Sequence, residues 1–153
     1  MARAIDEASK GRGRTSPNPM VGAILARDGE VVGHGYHRRA GAAHAEVQAL
    51  DSVQDSAEGA TLFVNLEPCC HHGKTPPCTD ALIESGIRKA YIAMEDPDPR
   101  VSGGGIRRLR EAGIDVEVGL LNEQARQLNR AYLVSLEEDR PFVVAKYAMT
   151  LEI

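Results

Sequence analysis

Apolar positions recur along the chain with two different periods, and each change of period separates a predicted helix from a predicted strand. Near the start, apolar residues at helical spacing predict a helix over residues 3–10, which Gly11 ends. Two apolar stretches, 20–26 and 30–37, flank the turn signal "RDG". This arrangement predicts two antiparallel strands joined as a β-hairpin.

From residue 44 onward, predicted helices and strands alternate. The helices cover residues 44–53, 78–85, 105–113 and 123–136, and the strands cover residues 60–67, 89–94, 115–121 and 140–153. A repeated β-α order favours helices packed on a largely parallel sheet. We therefore predict an α/β fold whose sheet starts with an antiparallel hairpin and continues with parallel strands.

Local signals place several helix ends and one boundary. Gly86 and Gly113 follow helical stretches and are typical of the residue just beyond a helix. Asn122 is predicted to be the N-cap of the last helix. The charged break "EEDR" follows that helix. We therefore place a boundary after residue 139 and expect residues 140–153 to begin a separate segment.

The composition is that of a globular domain. The chain has 153 residues, of which 42% are hydrophobic and 26% charged, as in ordinary soluble domains. No apolar run approaches the ~20 residues that span a bilayer. The first residues include acidic side chains and no apolar block, unlike a secretory signal. We therefore expect a cytoplasmic protein with no membrane partner.

The charge pattern argues against a nucleic-acid partner. The formal net charge is −4, and the longest basic stretch is "KGRGR" at residues 10–14. The four tyrosines and two phenylalanines are scattered. A protein that binds nucleic acid typically presents a basic face or a platform of aromatic side chains. Because neither is evident, we expect no nucleic-acid partner.

The candidate chemistry concentrates in "EPCCHHGKTPPC", residues 67–78, which holds all three cysteines of the chain. An odd number of cysteines fits a disulfide framework poorly, and clustered cysteines in a reducing compartment indicate a metal or catalysis. Cys69 and Cys78 are the better pair of ligands, because the adjacent Cys70 points in a different direction from Cys69. Cys78 is also predicted in the first turn of a helix, where the thiolate is favoured.

The third metal ligand is expected from "HAE" at residues 44–46. Side chains two residues apart converge only at the tip of a helix, and this pair lies at a predicted helix start. The order H-x-E, P-C and a second cysteine is the signature of zinc deaminases, in which zinc makes hydroxide available and the glutamate moves protons. We therefore predict Zn²⁺ bound by His44, Cys69 and Cys78, with Glu46 as the catalytic residue.

Two alternatives remain open from the residues alone. A structural zinc site normally has four protein ligands, and Cys70, His71 or His72 could supply the fourth. Iron would accept the same three ligands. In addition, the two cysteines are nine residues apart, farther than the C-x-x-C form of the signature.

Residues 15–50, 65–87 and 96–121 resemble one enzyme family. They look like the pyrimidine deaminase of riboflavin biosynthesis, a member of the cytidine-deaminase-like superfamily, and the long cysteine spacing around "GKTPP" is typical of it. The resemblance implies a three-layer α/β/α fold with a mixed five-stranded sheet. It also implies hydrolytic deamination of 2,5-diamino-6-ribosylamino-4(3H)-pyrimidinone 5′-phosphate to 5-amino-6-ribosylaminouracil 5′-phosphate and ammonia.

The same resemblance implies a set of substrate-binding residues, namely Asn18, His37, His71, Lys74, Asp96 and Asp98. Several have simpler explanations. His37 could end a strand at the surface, Lys74 could be a solvated loop lysine, and Asp96 could form a turn. Asp98 stands where the family often has asparagine, and an aspartate cannot donate a hydrogen bond as an amide does.

The resemblance also implies partners and a domain division. In the common bifunctional form of the family a reductase domain follows, and residues 140–153 resemble its start. We therefore expect a zinc-dependent deaminase domain over residues 1–139 and the truncated start of a reductase-like segment over 140–153. A fused or separate reductase and further copies of the chain in a homo-oligomer are the expected partners. The alternatives are another nucleoside, nucleotide or tRNA base deaminase of the same fold, and a structural zinc module.

Overall fold

The structure is a computed structural model, and it describes residues 1–71, 76–138, 140 and 142–150. Within these residues, five strands alternate with helices in the order that the sequence predicts. The strands are β1 (Gly22–Arg27), β2 (Glu30–Tyr36), β3 (Thr61–Val64), β4 (Lys89–Ile92) and β5 (Asp115–Val118). The helices are α1 (Ala2–Ser9), α2 (Ala45–Asp51), α3 (Cys78–Glu84), α4 (Gly104–Glu111), α5 (Asn122–Leu128) and α6 (Arg130–Glu137).

The five strands form one mixed sheet in the order β2-β1-β3-β4-β5. Strand β1 is antiparallel to β2 and β3, whereas β3, β4 and β5 are parallel. Both the predicted hairpin and the predicted parallel half are confirmed. In the ladder, Ala23 pairs with Val64, and Val64 pairs with Ile92. The loops that precede β1 and follow β3 and β4 therefore emerge at the same end of the strands.

The turn between β1 and β2 has the geometry that the sequence signal requires. Asp28 and Gly29 have φ angles of 53° and 84°. Two successive positive φ values define the type I′ turn, whose twist matches that of the two flanking strands. An aspartate tolerates this backbone conformation better than most residues, and a glycine adopts it without strain.

Helices cover both faces of the sheet and complete the expected three layers. Helices α2, α3 and α4 pack on one face, where their apolar residues join a core of strand residues such as Leu25, Leu62 and Ile92. Helix α2 approaches closely, because a Cβ at Gly35 would lie only 2.5 Å from the backbone nitrogen of Ala49. Helix α1 packs on the opposite face beside β1 and contacts α5.

The last helix differs from the prediction. Asn122 is not an N-cap: it is the first residue of α5, and Leu121, at φ 59°, precedes the helix as its N-cap. The helical stretch is also divided at Asn129, which has φ −97° and ψ 18°. The Asn129 side chain bonds both backbone groups of Met20, since its Oδ1 accepts from the N–H at 2.8 Å and its Nδ2 donates to the carbonyl at 2.9 Å. This tertiary contact accompanies a break that helical periodicity does not reveal.

The predicted strand over residues 140–153 is wrong for the part that the structure describes. Residues 142–150 form neither a helix nor a strand. Their apolar side chains face solvent, as Val143 and Tyr147 show with 78% and 83% exposure. An apolar stretch becomes a strand only where it pairs with another strand, and β2 and β5, the two edge strands of the sheet, do not pair with this segment. No described helix is long and apolar enough to cross a membrane.

Candidate metal centre and substrate cleft

The three predicted metal ligands come together where two helices begin. His44 is the N-cap of α2, and Cys78 is the first residue of α3. The Nδ1 atom of His44 lies 3.0 Å from Sγ of Cys78 and 3.5 Å from Sγ of Cys69. The three donor atoms all lie within 4.8 Å of one another. Two helix tips and the loop after β3 thus converge on one point, as the spacing of the motifs predicts.

Hydrogen bonds among these three side chains shift the pKa of each one. Hydrogen bonds from Cys78, including its backbone N–H at 3.3 Å, lower the pKa of Cys69 to about 4. The neighbouring sulfur and burial raise the pKa of Cys78, and the hydrogen bond with Cys69 raises the pKa of His44. Thiolate and imidazole are the ligands that zinc prefers, and a bound dication takes the place of protons on such groups. The donor set therefore fits zinc.

No fourth ligand joins the group among the described residues. The sulfur of Cys70 packs against Gly104, where an added Cβ would lie 2.7 Å away. His71 lines the cleft beside the metal group without belonging to it. His72 lies outside the described residues. Three protein ligands are the number found in catalytic zinc sites, whereas structural sites normally have four.

Glu46 lies beside this centre in the first turn of α2. Its side chain is 3% exposed. Burial raises the pKa of Glu46 to about 7, although the positive charge of His44 opposes this shift. A dication at the neighbouring donors would lower the pKa again, since a positive charge favours the carboxylate. A carboxyl group that can hold or release a proton near neutral pH is suited to general acid–base catalysis.

A cleft of about 380 Å³ opens above these residues, a size in the range of small-molecule sites. Asn18 and His37 form one wall. The Nδ1 of His37 donates to the carbonyl of Ala43 at 3.3 Å, so in the neutral ring its Nε2 is the acceptor for Asn18 Nδ2 at 3.1 Å. This pairing leaves the Asn18 carbonyl oxygen for a ligand. His37 is 3% exposed, so it does not end a strand at the surface.

Asp96 and Asp98 also line the cleft, together with two residues that the sequence did not single out. The hydroxyl of Tyr132 donates to Oδ1 of Asp96 at 2.9 Å. Arg100 bonds both carboxylate oxygens of Asp98, with Nε at 3.0 Å from Oδ1 and Nη2 at 2.5 Å from Oδ2. This guanidinium lowers the pKa of Asp98 to about 2, whereas burial raises the pKa of Asp96.

The turn-forming explanation of Asp96 also holds, because its Oδ1 accepts from the N–H of Asp98 at 3.0 Å.

Tyr132 could not be found from the sequence, since it belongs to the helix that divides unexpectedly. Arg100 had a signal, because it follows two residues after an aspartate that replaces the expected amide. Lys74 lies outside the described residues, so its predicted role stays a prediction.

A family model for the cytidine and deoxycytidylate deaminase zinc-binding region matches residues 1–94. The chain therefore belongs to this deaminase family. That region contains His44, Glu46, Cys69 and Cys78. The prediction of a zinc-binding deaminase is confirmed at this level.

Within this family, the chain is similar to proteins of riboflavin biosynthesis. It is 49% identical over 152 residues to riboflavin biosynthesis protein RibD of Aquifex aeolicus and to RibD of Escherichia coli K12, and 99% of the chain is matched in each case. A solved structure from Thermotoga maritima is a diaminohydroxyphosphoribosylaminopyrimidine deaminase/5-amino-6-(5-phosphoribosylamino)uracil reductase. It matches 93% of this chain with a TM-score of 0.89 and 46% identity. The resemblance and the α/β fold are both confirmed.

The matched proteins are longer than this chain. It covers 43% of the Aquifex relative, 41% of the Escherichia relative and 41% of the Thermotoga structure. The comparisons therefore identify the family of this domain, and the activity, substrate and partners of the chain are matters for proposal.

Proposed function

We propose that this chain catalyses the zinc-dependent hydrolytic deamination of 2,5-diamino-6-ribosylamino-4(3H)-pyrimidinone 5′-phosphate. The observation that carries the proposal is the position of Glu46, which is buried beside three candidate metal donors and lines the cleft. The similarity to RibD proteins over 99% of the chain supports the choice of substrate. In the reaction, water adds to C2 of the pyrimidinone and the 2-amino group leaves as ammonia.

The residues around the metal centre suit this reaction. Zinc held by His44, Cys69 and Cys78 would supply the Lewis acidity that makes water a nucleophile at neutral pH. The Glu46 carboxylate accepts a proton from the attacking water and passes it to the ring nitrogen. It then takes the remaining proton from the hydroxyl on C2 and delivers it to the 2-amino group, so that the C2 carbonyl forms as the C–N bond breaks and ammonia leaves. Its burial excludes bulk water from this transfer.

The walls of the cleft offer hydrogen bonds that match a diaminopyrimidinone ring. The Asn18 carbonyl oxygen can accept from a ring N–H or an exocyclic amino group, because His37 occupies its amide nitrogen. Asp96 keeps Oδ2 for the ligand, since Tyr132 and the N–H of Asp98 bond to its Oδ1. These two acceptors favour a base that is rich in amino groups.

The ribose phosphate is expected to meet the cationic and imidazole groups at the rim. His71 and Arg100 line the cleft, and the side chain of Arg100 is 74% exposed. Lys74 remains a predicted phosphate ligand, because a lysine offers a point charge to phosphate. Asp98 is bonded to Arg100 and therefore acts on the substrate through that guanidinium.

Other deaminases of the same fold and a structural zinc module are the competing proposals. A tRNA or DNA base deaminase would require a basic groove and stacking aromatics. Among the described residues that line the cleft, four are acidic and only Arg100 is a lysine or arginine. A structural site would normally have a fourth protein ligand, and the described residues provide three.

An ammonia-release assay tests the proposal. The zinc-loaded chain is incubated with the diaminopyrimidinone ribotide and, separately, with cytidine. We expect ammonia from the ribotide only. Release from cytidine alone would contradict the substrate assignment, and no release from either substrate at one zinc per chain would favour the structural module.

We also propose a domain division and partners. Residues 1–139 would act as the deaminase and residues 140–153 would lead toward a reductase, fused or separate. The reductase activity in the name of the Thermotoga protein, and its greater length, support this division. A cytoplasmic location would keep the three free cysteines reduced for metal binding. A homo-oligomer remains a proposal that sedimentation would test.

A further inference from the structure

We infer that Glu67 is a positioning residue. It fixes the part of the cleft formed by Asp96, Asp98 and Arg100, called here the substrate wall, relative to the loop that carries Cys69. This inference rests on the proposed function. Glu67 opens the cysteine motif and is 4% exposed. It lies two residues before Cys69, yet its carboxylate does not join the three metal donors.

The Glu67 carboxylate accepts four backbone hydrogen bonds. Oε1 accepts from the N–H groups of Gly105 at 2.9 Å and Ile106 at 3.0 Å. Oε2 accepts from those of Asp96 at 3.1 Å and Gly103 at 3.0 Å. A carboxylate has about four acceptor sites, so these bonds use its capacity. Glu67 is therefore suited to holding backbone in place rather than to binding a ligand or moving a proton.

One pair of these bonds fixes the start of α4. Gly105 and Ile106 lie in its first turn, where backbone N–H groups have no partner inside the helix. The residue at the N-cap is Gly103, which has no side chain to cap them. Glu67 supplies the cap from another element. The contact is tight, because a Cβ at Gly105 would lie 2.0 Å from the carbonyl oxygen of Pro68.

The other pair fixes both ends of the loop between β4 and α4. Asp96 stands near the beginning of this loop and Gly103 near its end, and one oxygen of Glu67 accepts from both. The loop carries Asp98 and Arg100 of the substrate wall between those two anchors. Because Cys69 follows Glu67 by two residues, a single side chain sets the position of this wall relative to the metal ligand.

The substitution Glu67→Gln tests this role. Glutamine has nearly the same shape, but its NH₂ group would face two backbone N–H donors and could accept from neither. We expect zinc to stay at one per chain and KM for the ribotide to rise about tenfold or more, while kcat changes less than about threefold. A small misplacement of a binding wall is enough for an effect of this size.

A core variant distinguishes positioning from general destabilisation. Leu25 is fully buried in β1, so Leu25→Ala should lower the melting temperature at least as much as Glu67→Gln. We expect the KM of Leu25→Ala to stay at the wild-type value. An unchanged KM in Glu67→Gln, or an equal rise in Leu25→Ala, would overturn the inference. If Glu67→Gln does not fold, the shorter Glu67→Asp is judged by the same criterion.

Amide hydrogen exchange gives a readout that does not depend on catalysis. In the wild-type protein, the N–H groups of Asp96, Gly103, Gly105 and Ile106 should exchange slowly. In Glu67→Gln their exchange should accelerate, while that of Leu62 in β3 stays slow. If the wild-type protein does not act on the ribotide, the proposed function fails. The exchange rates of these four N–H groups then test the positioning role by themselves, and unchanged rates in Glu67→Gln would contradict it.

Discussion

At the scale of single residues, the cleft holds carboxyl groups whose surroundings give them different tasks. Burial raises the pKa of Glu46 to about 7 against the opposing charge of His44. Asp98 bonds to a guanidinium, so its pKa is lowered to about 2. Carboxyl groups whose environments separate their pKa values in this way commonly divide into a proton carrier and a permanently ionised partner. Glu46 is the proton carrier in the proposed reaction.

The substitution Glu46→Gln should abolish turnover and leave the metal in place. Glutamine fills the same buried space but cannot accept the proton from water, and such proton transfer contributes about 10²–10⁴-fold to a rate. We expect kcat to fall by about that factor with zinc still at one per chain. Atomic absorption and ammonia release measure the two quantities. Glu84→Gln changes an exposed carboxyl on α3 and should leave both unchanged.

The substitution Arg100→Gln should raise the pKa of Asp98 toward its ordinary value of 3.8. Because the folded-state pKa of Asp98 is lowered, its ion pair stabilises the wild-type fold above about pH 4 and loses this effect as the pH falls through about 2. The free energies of unfolding of the two proteins should therefore differ at pH 7 and converge in strong acid.

Carbon-13 NMR titration of the Asp98 carboxyl and urea unfolding at several pH values check this expectation. Arg107 is exposed one turn into α4, and Arg107→Gln is the matched control. An Asp98 pKa that stays near 2 in Arg100→Gln would show that another group holds the carboxylate in its ionised form.

At the scale of elements, the division of the last helix positions a wall of the site. Asn129 ends α5 and bonds the backbone of Met20, and Asn65 adds a bond from its Nδ2 to the same carbonyl at 2.9 Å. The segment held in this way follows Pro17, Asn18 and Pro19, which line the cleft. The break that periodicity did not predict thus anchors a loop that lines the cleft. The following helix, α6, then brings Tyr132 to Asp96.

The substitution Asn129→Ala should lower the free energy of unfolding by about 1–3 kcal/mol, because the part-buried N–H and carbonyl of Met20 each lose a hydrogen-bond partner. We also expect a higher KM, since the Asn18 loop loses an anchor. Urea unfolding and steady-state kinetics check both effects. Gln127 is exposed on α5, so Gln127→Ala should change stability by less than about 0.5 kcal/mol. A neutral Asn129→Ala would contradict the anchoring role.

At the scale of the whole molecule, the sheet topology brings the residues of the site together at one end of the strands. The loop before β1, the end of β2, and the loops after β3 and β4 all emerge there, because Ala23, Val64 and Ile92 are neighbours in the ladder. Crevices at the carboxyl ends of parallel strands are common ligand sites in α/β proteins. A metal ion bound by the three candidate donors would also connect α2, α3 and the loop after β3.

Removal of zinc should therefore lower the stability of the entire domain. At a free zinc concentration about a thousandfold above Kd, binding stabilises a fold by about 4 kcal/mol, and a strong chelator should remove this contribution. We expect the melting temperature to fall on chelation and to recover when zinc is restored. Cys78→Ser should lose this response, whereas Cys70→Ser should keep it. An equal response in both variants would contradict the ligand assignment.

Much of this molecule could be predicted from local patterns. The hairpin follows from "RDG", because Asp28 and Gly29 tolerate the positive φ angles of its turn. The stops at Gly86 and Gly113 follow from glycine at the same kind of backbone, with φ angles of 73° and 86°. The metal group follows from residues at helix tips, since only there can His44 and Glu46 face one point. In each case the cause lies within a few residues of the effect.

Contacts between distant residues decided the rest. By itself the sequence determined the order of the elements and the three side chains that meet at the candidate metal centre, because propensity, turn chemistry and ligand type are local properties. Only the tertiary structure decided that Asn129 divides a helix, that Tyr132 and Arg100 complete the wall, and that Glu67 serves backbone groups rather than the metal. Those roles depend on which buried donors and acceptors meet across the fold, and burial makes each unpaired group costly enough to select its partner.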